Sequence, residues 1–231
     1  MRDGRTVDER LADLDRRGIV RIGLDVGQAR DHSAVVVCEE VQGEGDRPSY
    51  HARMIERMPL GVTYDGIAAR VSQIVDNLSA LDRQERAEGK PGFRIDLRVD
   101  CIGTGRPLIE MMQARGLRPI SITLTGGSSI VEHDRYTVSA GKAVMVGTLQ
   151  ALLQNGELVL GDDDLADIVI RELQAYEIKV SENGHASFAA RSGEHDDLVC
   201  AAGLAVLTWK SAKPGPVFSG HMRIVRAPWG G

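Results

Sequence analysis

The stretch "RIGLDVGQARDHSAVVV", residues 21–37, decides the fold because it predicts two strands joined by a tight turn. An apolar run leads up to Asp25, and the second run, "AVVVC", is typical of a strand that is buried on both faces. Asp25 therefore ends a core strand at the rim of the core, where an unpaired carboxylate is costly. We expect other parts of the chain to supply a partner for it.

Composition limits the classes of protein to consider. The chain has 231 residues, enough for one α/β domain and short for two, with 42% hydrophobic and 26% charged residues. Cys38, Cys101 and Cys200 lie in apolar runs, are far apart and lack CxxC spacing, which predicts buried free thiols in a reducing cytoplasm. No run has transmembrane length, so we expect no membrane partner. The net charge of -5 argues against tight autonomous DNA binding but leaves DNA open as a substrate.

The apolar pattern predicts a mixed α/β order. Residues 19–25, 33–41 and 49–58 are expected to form an antiparallel meander, and Thr63 is expected to cap a following helix. A strand then ends at Asp100, and Asn183-Gly184 predicts a hairpin. Further elements are predicted at residues 106–115 (helix), 119–124 (strand), 140–155 (helix), 165–173 (helix) and from the acids near 196 to Trp209 (helix). We divide the chain into a charged leader at 1–18, a domain at 19–210 and a flexible tail at 211–231.

Four acids share an unusual position at the rim of the core. Asp25 and Asp100 end strands, and Asp196 and Asp197 open an apolar helix. Each alone has a structural explanation, as an Asx turn or a helix N-cap. A mixed sheet with the first strand at its centre would instead bring them together, where like charges repel unless a cation lies among them. Hard oxygen ligands suit Mg²⁺ or Mn²⁺, and two such ions roughly 4 Å apart can clamp a phosphodiester.

These motifs resemble the ribonuclease H-like superfamily, and within it the nuclease domain of phage large terminases. The resemblance covers residues 19–209 and lies in three motifs in order, with a lysine-led helix, "VSAGKAVMVGTLQALLQNGELVL", between the second and third. The matching residues are Asp25, Gly27, Asp31, Ser33 and Ala34 in the first motif, Asp100, Gly103 and Gly105 in the second, and His195, Asp196, Asp197, Val199 and Ala201 in the third.

The resemblance implies a mixed β-sheet with helices on both faces and a nuclease that cuts concatemeric double-stranded DNA during genome packaging. Asp25, Asp100 and one of Asp196 and Asp197 would bind two Mg²⁺ or Mn²⁺ ions, with the choice between the last two left open. Candidate auxiliary residues are Asp31 and His195, and candidate DNA contacts are Lys142, Asn183 and Gly184. Each of the five also has a structural alternative. Asp31 would be a turn former, His195 a solvated residue before a helix, and Lys142 a snorkelling surface lysine. Asn183 and Gly184 would form only an edge hairpin.

The chain departs from a full large terminase because it has no GxxxxGK[ST] motif for an ATPase motor. An ATPase domain or subunit, a portal and a small terminase are therefore implied as partners. The alternatives are a Holliday-junction resolvase, an actin-like kinase or ATPase lobe, and a nuclease-like module that only binds. Resolvases usually carry Glu where this chain has Asp100, an actin-like protein needs a second lobe, and intact acids argue against a purely binding module.

Overall fold

The computed structural model describes residues 18–27, 31–42, 47–102, 105–161, 164–180, 186–190 and 195–209. The predicted tail, the Asn183-Gly184 turn, and the predicted leader apart from Gly18 lie outside these residues. The described chain contains ten strands and five helices. The strands are β1 Ile19–Asp25, β2 Ala34–Gln42, β3 Pro48–Arg57, β4 Arg94–Asp100, β5 Ile120–Thr125, β6 Ile130–Asp134, β7 Thr137–Gly141, β8 Leu158–Val159, β9 Tyr176–Val180 and β10 Ala186–Ala190. The helices are α1 Tyr64–Ala87, α2 Gly105–Ala114, α3 Lys142–Gln154, α4 Asp164–Gln174 and α5 Asp197–Val206.

Eight strands form one mixed sheet in the order β6-β7-β5-β4-β1-β2-β3-β8, and β9 and β10 form a separate antiparallel pair. The predicted meander is confirmed, because β1, β2 and β3 pair antiparallel in sequence order. Strand β4 pairs parallel to β1, with Leu24 opposite Val99. Asp25 and Asp100 therefore end neighbouring strands at the same edge of the sheet.

Helices cover both faces of the sheet, as predicted. Helices α1 and α2 pack on one face against the apolar side chains of β1, including Ile22 and Leu24. Helices α3, α4 and α5 belong to the core on the opposite face. Helix α5 lies directly on β1 at Gly23, where an added Cβ would be only 2.1 Å from the Ala201 carbonyl oxygen. This close approach fixes the start of α5 beside the end of β1.

A buried arginine ends helix α5. Arg98 on β4 donates hydrogen bonds to the carbonyl oxygens of Leu204 (2.9 Å) and Leu207 (2.5 Å), and its guanidinium lies over the ring of Trp209 at 4.7 Å. The last carbonyls of a helix lack partners within it, so Arg98 supplies donors for them. The prediction that this helix extends to Trp209 was wrong, because α5 ends at Val206.

Other predicted elements also need correction. Residues 140–141 belong to β7, and α3 begins only at Lys142. Strands β6 and β7 were not predicted, because β6, "IVEHD", is polar and mostly exposed and gives no apolar alternation. The three cysteines are free, but Cys101 is half-buried rather than buried. Among the described residues, no helix has the length and hydropathy needed to cross a membrane.

Candidate metal centre

A cleft of about 520 Å³ opens at the edge of the sheet where β1 and β4 end. All four predicted acids line it: Asp25, Asp100, Asp196 and Asp197. The parallel pairing of β1 and β4 supplies the first two, and the crossing of α5 over β1 brings the other two to the same edge. The sequence prediction that these four residues lie together is therefore matched by their positions.

Asp25 carries the strongest sign of crowded negative charge. Burial raises the pKa of its carboxyl well above the ordinary value, and the charges of Asp100, Asp196 and Asp197 raise it further, while Lys142 opposes them. Within the part of the chain that the structure describes, no hydrogen bond or ion pair to this side chain is seen. Its environment therefore favours either a proton or a bound cation.

Gly27, two residues after Asp25, lies in close contact with the residues that precede β2, and a larger residue would not fit there. A Cβ at Gly27 would lie 2.2 Å from the carbonyl oxygen of Asp31 and 2.4 Å from that of His32. The Gly27 N–H also donates to the Ser33 hydroxyl at 3.1 Å. Gly27 therefore lies directly against residues 31–33, and Asp31 and His32 line the cleft.

Asp100 combines a turn contact with its place in the cleft. Its Oδ1 accepts the N–H of Ile102 at 2.9 Å, which is the Asx-turn contact considered as its structural explanation. Burial raises the pKa of the carboxyl, with the charge of Asp196 adding to the effect, although the Ile102 N–H and Lys142 oppose it. The turn bond orients the carboxylate without removing it from the cleft.

Asp196 faces the cleft as well. It is the N-cap residue of α5, yet its side chain makes no capping hydrogen bond in the described chain. Its Oδ2 instead accepts from Lys142 Nζ at 2.7 Å and from the Tyr176 hydroxyl at 2.6 Å. Burial alone would raise the pKa of this carboxyl, but the two hydrogen bonds outweigh burial and lower it. The simple N-cap explanation of Asp196 is therefore wrong.

Asp197 has a different environment. Both of its oxygens accept from Arg57 on β3, Oδ2 from Nε at 2.8 Å and Oδ1 from a terminal nitrogen at 3.0 Å. The same arginine forms an ion pair with Glu172 on α4. Burial raises the pKa of Glu172, and the charge of Asp197 raises it further. Asp197 is thus buried and bound to a cation that the protein itself supplies.

The remaining predicted residues divide into two groups. Lys142, His195 and Asp31 line the cleft, and the half-buried ammonium of Lys142 is bound to Asp196. Lys142 is therefore not a snorkelling surface side chain. Asn183 and Gly184 lie outside the described residues. A role for Lys142 in DNA contact, and any auxiliary role of Asp31 or His195, remain predictions.

Several residues of the cleft and its surroundings were not predicted. The Nδ1–H of His32 donates to the Met58 carbonyl oxygen at 2.8 Å, and the His32 ring meets that of His195 edge to face at 6.0 Å. Arg57, Glu172 and Tyr176 were also missed. These three belong to no local motif, since each contacts the first turn of α5 or its acids from another element of the fold. Only the position of Arg57 at the last residue of a strand offered a signal.

The donor set of the cleft fits a hard divalent cation. Carboxylate oxygens are the ligands that Mg²⁺ and Mn²⁺ prefer, and the crowding around Asp25 is relieved by positive charge. Within the described residues, however, no three His, Cys, Asp or Glu side chains are arranged as a formed metal site. Lys142 and Arg57 are the cations that contact two of the carboxylates directly.

Solved structures with a similar fold come from viral terminases. The large terminase nuclease from thermophilic phage G20c matches with a TM-score of 0.57 and 21% identity, over 83% of this chain and 84% of that chain. The chain has the fold of a large terminase nuclease domain. This finding confirms the predicted ribonuclease H-like α/β class.

Two further structures with the terminase nuclease fold were determined with metal. The G20c nuclease with bound magnesium has a TM-score of 0.57 and 20% identity, over 88% of this chain and 97% of that chain. A mutant nuclease domain of the large terminase subunit of bacterial virus Sf6, with manganese and β-thujaplicinol, has a TM-score of 0.51 and 12% identity, over 89% and 98%. By sequence, no protein-family model and no curated protein matches the chain.

Proposed function

We propose that this chain is a metal-dependent endonuclease of the large terminase type, which cuts concatemeric double-stranded DNA during genome packaging. The observation that carries the proposal is the meeting of Asp25, Asp100, Asp196 and Asp197 in one cleft of a terminase nuclease fold. The magnesium and manganese bound in the similar structures support a divalent metal as cofactor.

The candidate ligands are Asp25, Asp100 and one of the two adjacent acids, for which the contacts favour Asp196. Both oxygens of Asp197 are bonded to Arg57, whereas Asp196 uses Oδ2 for both of its bonds. Bound divalent ions would supply the charge that stabilises the attacking and leaving oxygens of a phosphodiester. Asp25, whose pKa is raised by burial and by all three of the other carboxylates, is the residue most dependent on that charge.

The other residues of the cleft bind and orient. Tyr176 and, when no metal is bound, Lys142 both donate to Oδ2 of Asp196, so that its carboxylate faces the cleft. His32 and His195 form one wall, where imidazole N–H groups can donate to phosphate oxygens. With a net charge of -5, DNA would be delivered by a partner, and an ATPase motor with its portal and small terminase fits that need.

A plasmid cleavage assay tests the proposal. The purified chain is incubated with supercoiled plasmid in Mn²⁺, Mg²⁺ or EDTA, beside Asp25→Asn, Asp100→Asn and Asp196→Asn. We expect metal-dependent nicking and linearisation that falls roughly 100-fold or more in each variant. The control is Asp65→Asn, an exposed acid that pairs with Arg115 away from the cleft, and it should cut like the wild type.

Two results would contradict the proposal. The first is a folded wild-type chain that cuts no DNA with either metal, alone or with an ATPase motor added. The second is cleavage that persists in EDTA or in the three variants. A four-way junction, assayed in parallel, separates the proposal from the resolvase alternative, because a resolvase would cut the junction and leave the linear duplex intact.

A further inference from the structure

The first turn of α5 is capped by a residue from another helix. Backbone N–H groups at a helix start need acceptors, and an N-cap Asp normally accepts from the second or third residue of the helix. Asp196 is the N-cap of α5, and Val199 is the third residue. The Val199 N–H donates to Oε2 of Glu172 on α4 at 3.1 Å, in a buried position. Glu172 thus occupies the donor that Asp196 would otherwise cap.

Glu172 is held in place by a buried ion-pair network. Its Oε1 accepts from Arg57 on β3, and Arg57 also binds both oxygens of Asp197. Glu172 is 5% exposed and Asp197 is 4% exposed, so neither carboxylate has water as an alternative partner. Three elements distant in sequence, β3, α4 and α5, are therefore joined at the residue next to Asp196.

We propose that Glu172 and Arg57 are positioning residues: Glu172 caps α5 in place of Asp196, and this keeps the Asp196 carboxylate in the cleft. The argument is one of competition, because the Asp196 carboxylate has two alternative sets of donors. One is the Val199 N–H of its own helix, and the other is Lys142 with Tyr176 in the cleft. Since Glu172 occupies the first, Asp196 takes the second. The inference rests on the proposed function, because it assigns Asp196 to the metal centre.

The test measures metal affinity in the absence of DNA. Mn²⁺ binding to the whole chain is followed by titration calorimetry for the wild type, Glu172→Gln and Glu172→Ala. Gln keeps the volume of Glu but offers one acceptor to two donors, so it remains informative if Glu172→Ala does not fold. We expect Mn²⁺ affinity to fall about 10- to 100-fold, the range typical of residues that orient metal ligands.

A matched control lies on the same strand. Glu56 pairs with Arg70 of α1 through both carboxylate oxygens, and Glu56 is the neighbour of Arg57 on the opposite face of β3. Glu56→Gln removes a carboxylate of the same kind from a pair away from the cleft. It should leave the Mn²⁺ affinity within about twofold of the wild type, because a partly exposed pair contributes little.

A double-mutant cycle shows whether Glu172 acts through Asp196. In an Asp196→Asn background, Glu172→Gln should have no further effect on Mn²⁺ affinity, because the residue that it positions no longer ligates. A merely structural role would give the same loss in both backgrounds and would overturn the inference. So would wild-type affinity in the folded Glu172 variants. A wild-type chain that binds no Mn²⁺ would instead overturn the proposed function, and this inference with it.

Discussion

When no metal is bound, the Lys142 ammonium supplies positive charge to the carboxylates of the cleft, and Lys142→Met tests this directly. Its Nζ lies 2.7 Å from Asp196 Oδ2. Burial raises the pKa values of Asp25 and Asp100, and the charge of Lys142 opposes that rise. Lys142 is also the first residue of α3, where the helix dipole disfavours positive charge. The carboxylates therefore provide the interaction that stabilises an ammonium at this position.

The size of the effect follows from the contact and its exposure. A hydrogen bond between charged groups contributes about 1.5–3 kcal/mol, and the partial exposure of both side chains, 27% and 31%, reduces this to about 1–2 kcal/mol. For a domain of this size, that corresponds to a fall in Tm of about 2–8 °C in EDTA. The same free energy predicts a gain in metal affinity of about 5- to 30-fold, because a metal no longer displaces Lys142 from Asp196.

The assay is thermal unfolding followed by circular dichroism, first in EDTA and then across a Mn²⁺ series. Lys142→Met should melt below the wild type in EDTA and show a larger rise in Tm per added metal. Lys90→Met is the matched control, because the exposed Lys90 ammonium bonds Glu88 at 2.6 Å and lies 3.7 Å from Glu85, outside the cleft. That variant should change neither the Tm in EDTA nor the metal-induced rise in Tm by more than about 2–4 °C, which corresponds to about 1 kcal/mol.

Equal Tm values for Lys142→Met and the wild type in EDTA would refute the assignment of Lys142 as a cation that stabilises the cleft. Equal metal-induced shifts would refute its competition with metal for Asp196. A lower metal affinity in the variant would show that Lys142 supports the metal centre rather than competing with it.

Three further predictions concern stability. Asp25→Asn should raise the Tm in EDTA at neutral pH, because the folded state favours a protonated Asp25. The difference in Tm should disappear below the ordinary pKa of 3.8, where the wild-type carboxyl is protonated in both the folded and the unfolded state. A difference that does not depend on pH would contradict this origin. Gly23→Ala should lower the free energy of unfolding, measured in urea, by about 1–3 kcal/mol or more, because its Cβ would meet the Ala201 carbonyl oxygen of α5 at 2.1 Å; an unchanged midpoint would contradict the close packing. Arg98→Met should lower the free energy of unfolding by about 3–5 kcal/mol in the same assay, since the carbonyl oxygen of Leu207 and its neighbours lose their donor and Asp96 loses a buried partner. A loss below about 1 kcal/mol would show that water replaces the arginine.

Much of the fold follows from local patterns in the sequence. The apolar run to Asp25 and the run "AVVVC" predict β1 and β2, and the Thr63 cap predicts the start of α1, where its hydroxyl accepts the Gly66 N–H at 3.2 Å. Strands β6 and β7 could not be predicted because β6 is polar and mostly exposed, and β7 is a short run of small and polar residues that buries only Val138 and Ala140 as apolar side chains. The end of α5 was misplaced because Arg98, about a hundred residues away in sequence, ends the helix while the apolar pattern continues.

The candidate site also has a part that the sequence predicts and a part that it does not. The four acids were predictable because each interrupts an apolar element at its end, and parallel strands bring such ends together. Their partners were not, because Arg57, Glu172 and Tyr176 are ordinary residues of their own elements and meet the acids only through tertiary packing. The exclusion of Asp196 from its own helix cap likewise depends on Glu172, which the sequence places 24 residues earlier.

The central claim is that the carboxylates of the cleft bind divalent metal, and a crystal structure with Mn²⁺ tests it most directly. Anomalous scattering at the manganese edge identifies the ion independently of the protein model. The account predicts anomalous density in the cleft, in contact with Asp25 and with Asp100 or Asp196, and its absence from crystals of Asp25→Asn. A cleft without anomalous density at millimolar Mn²⁺, or density bound only elsewhere on the protein, would contradict it.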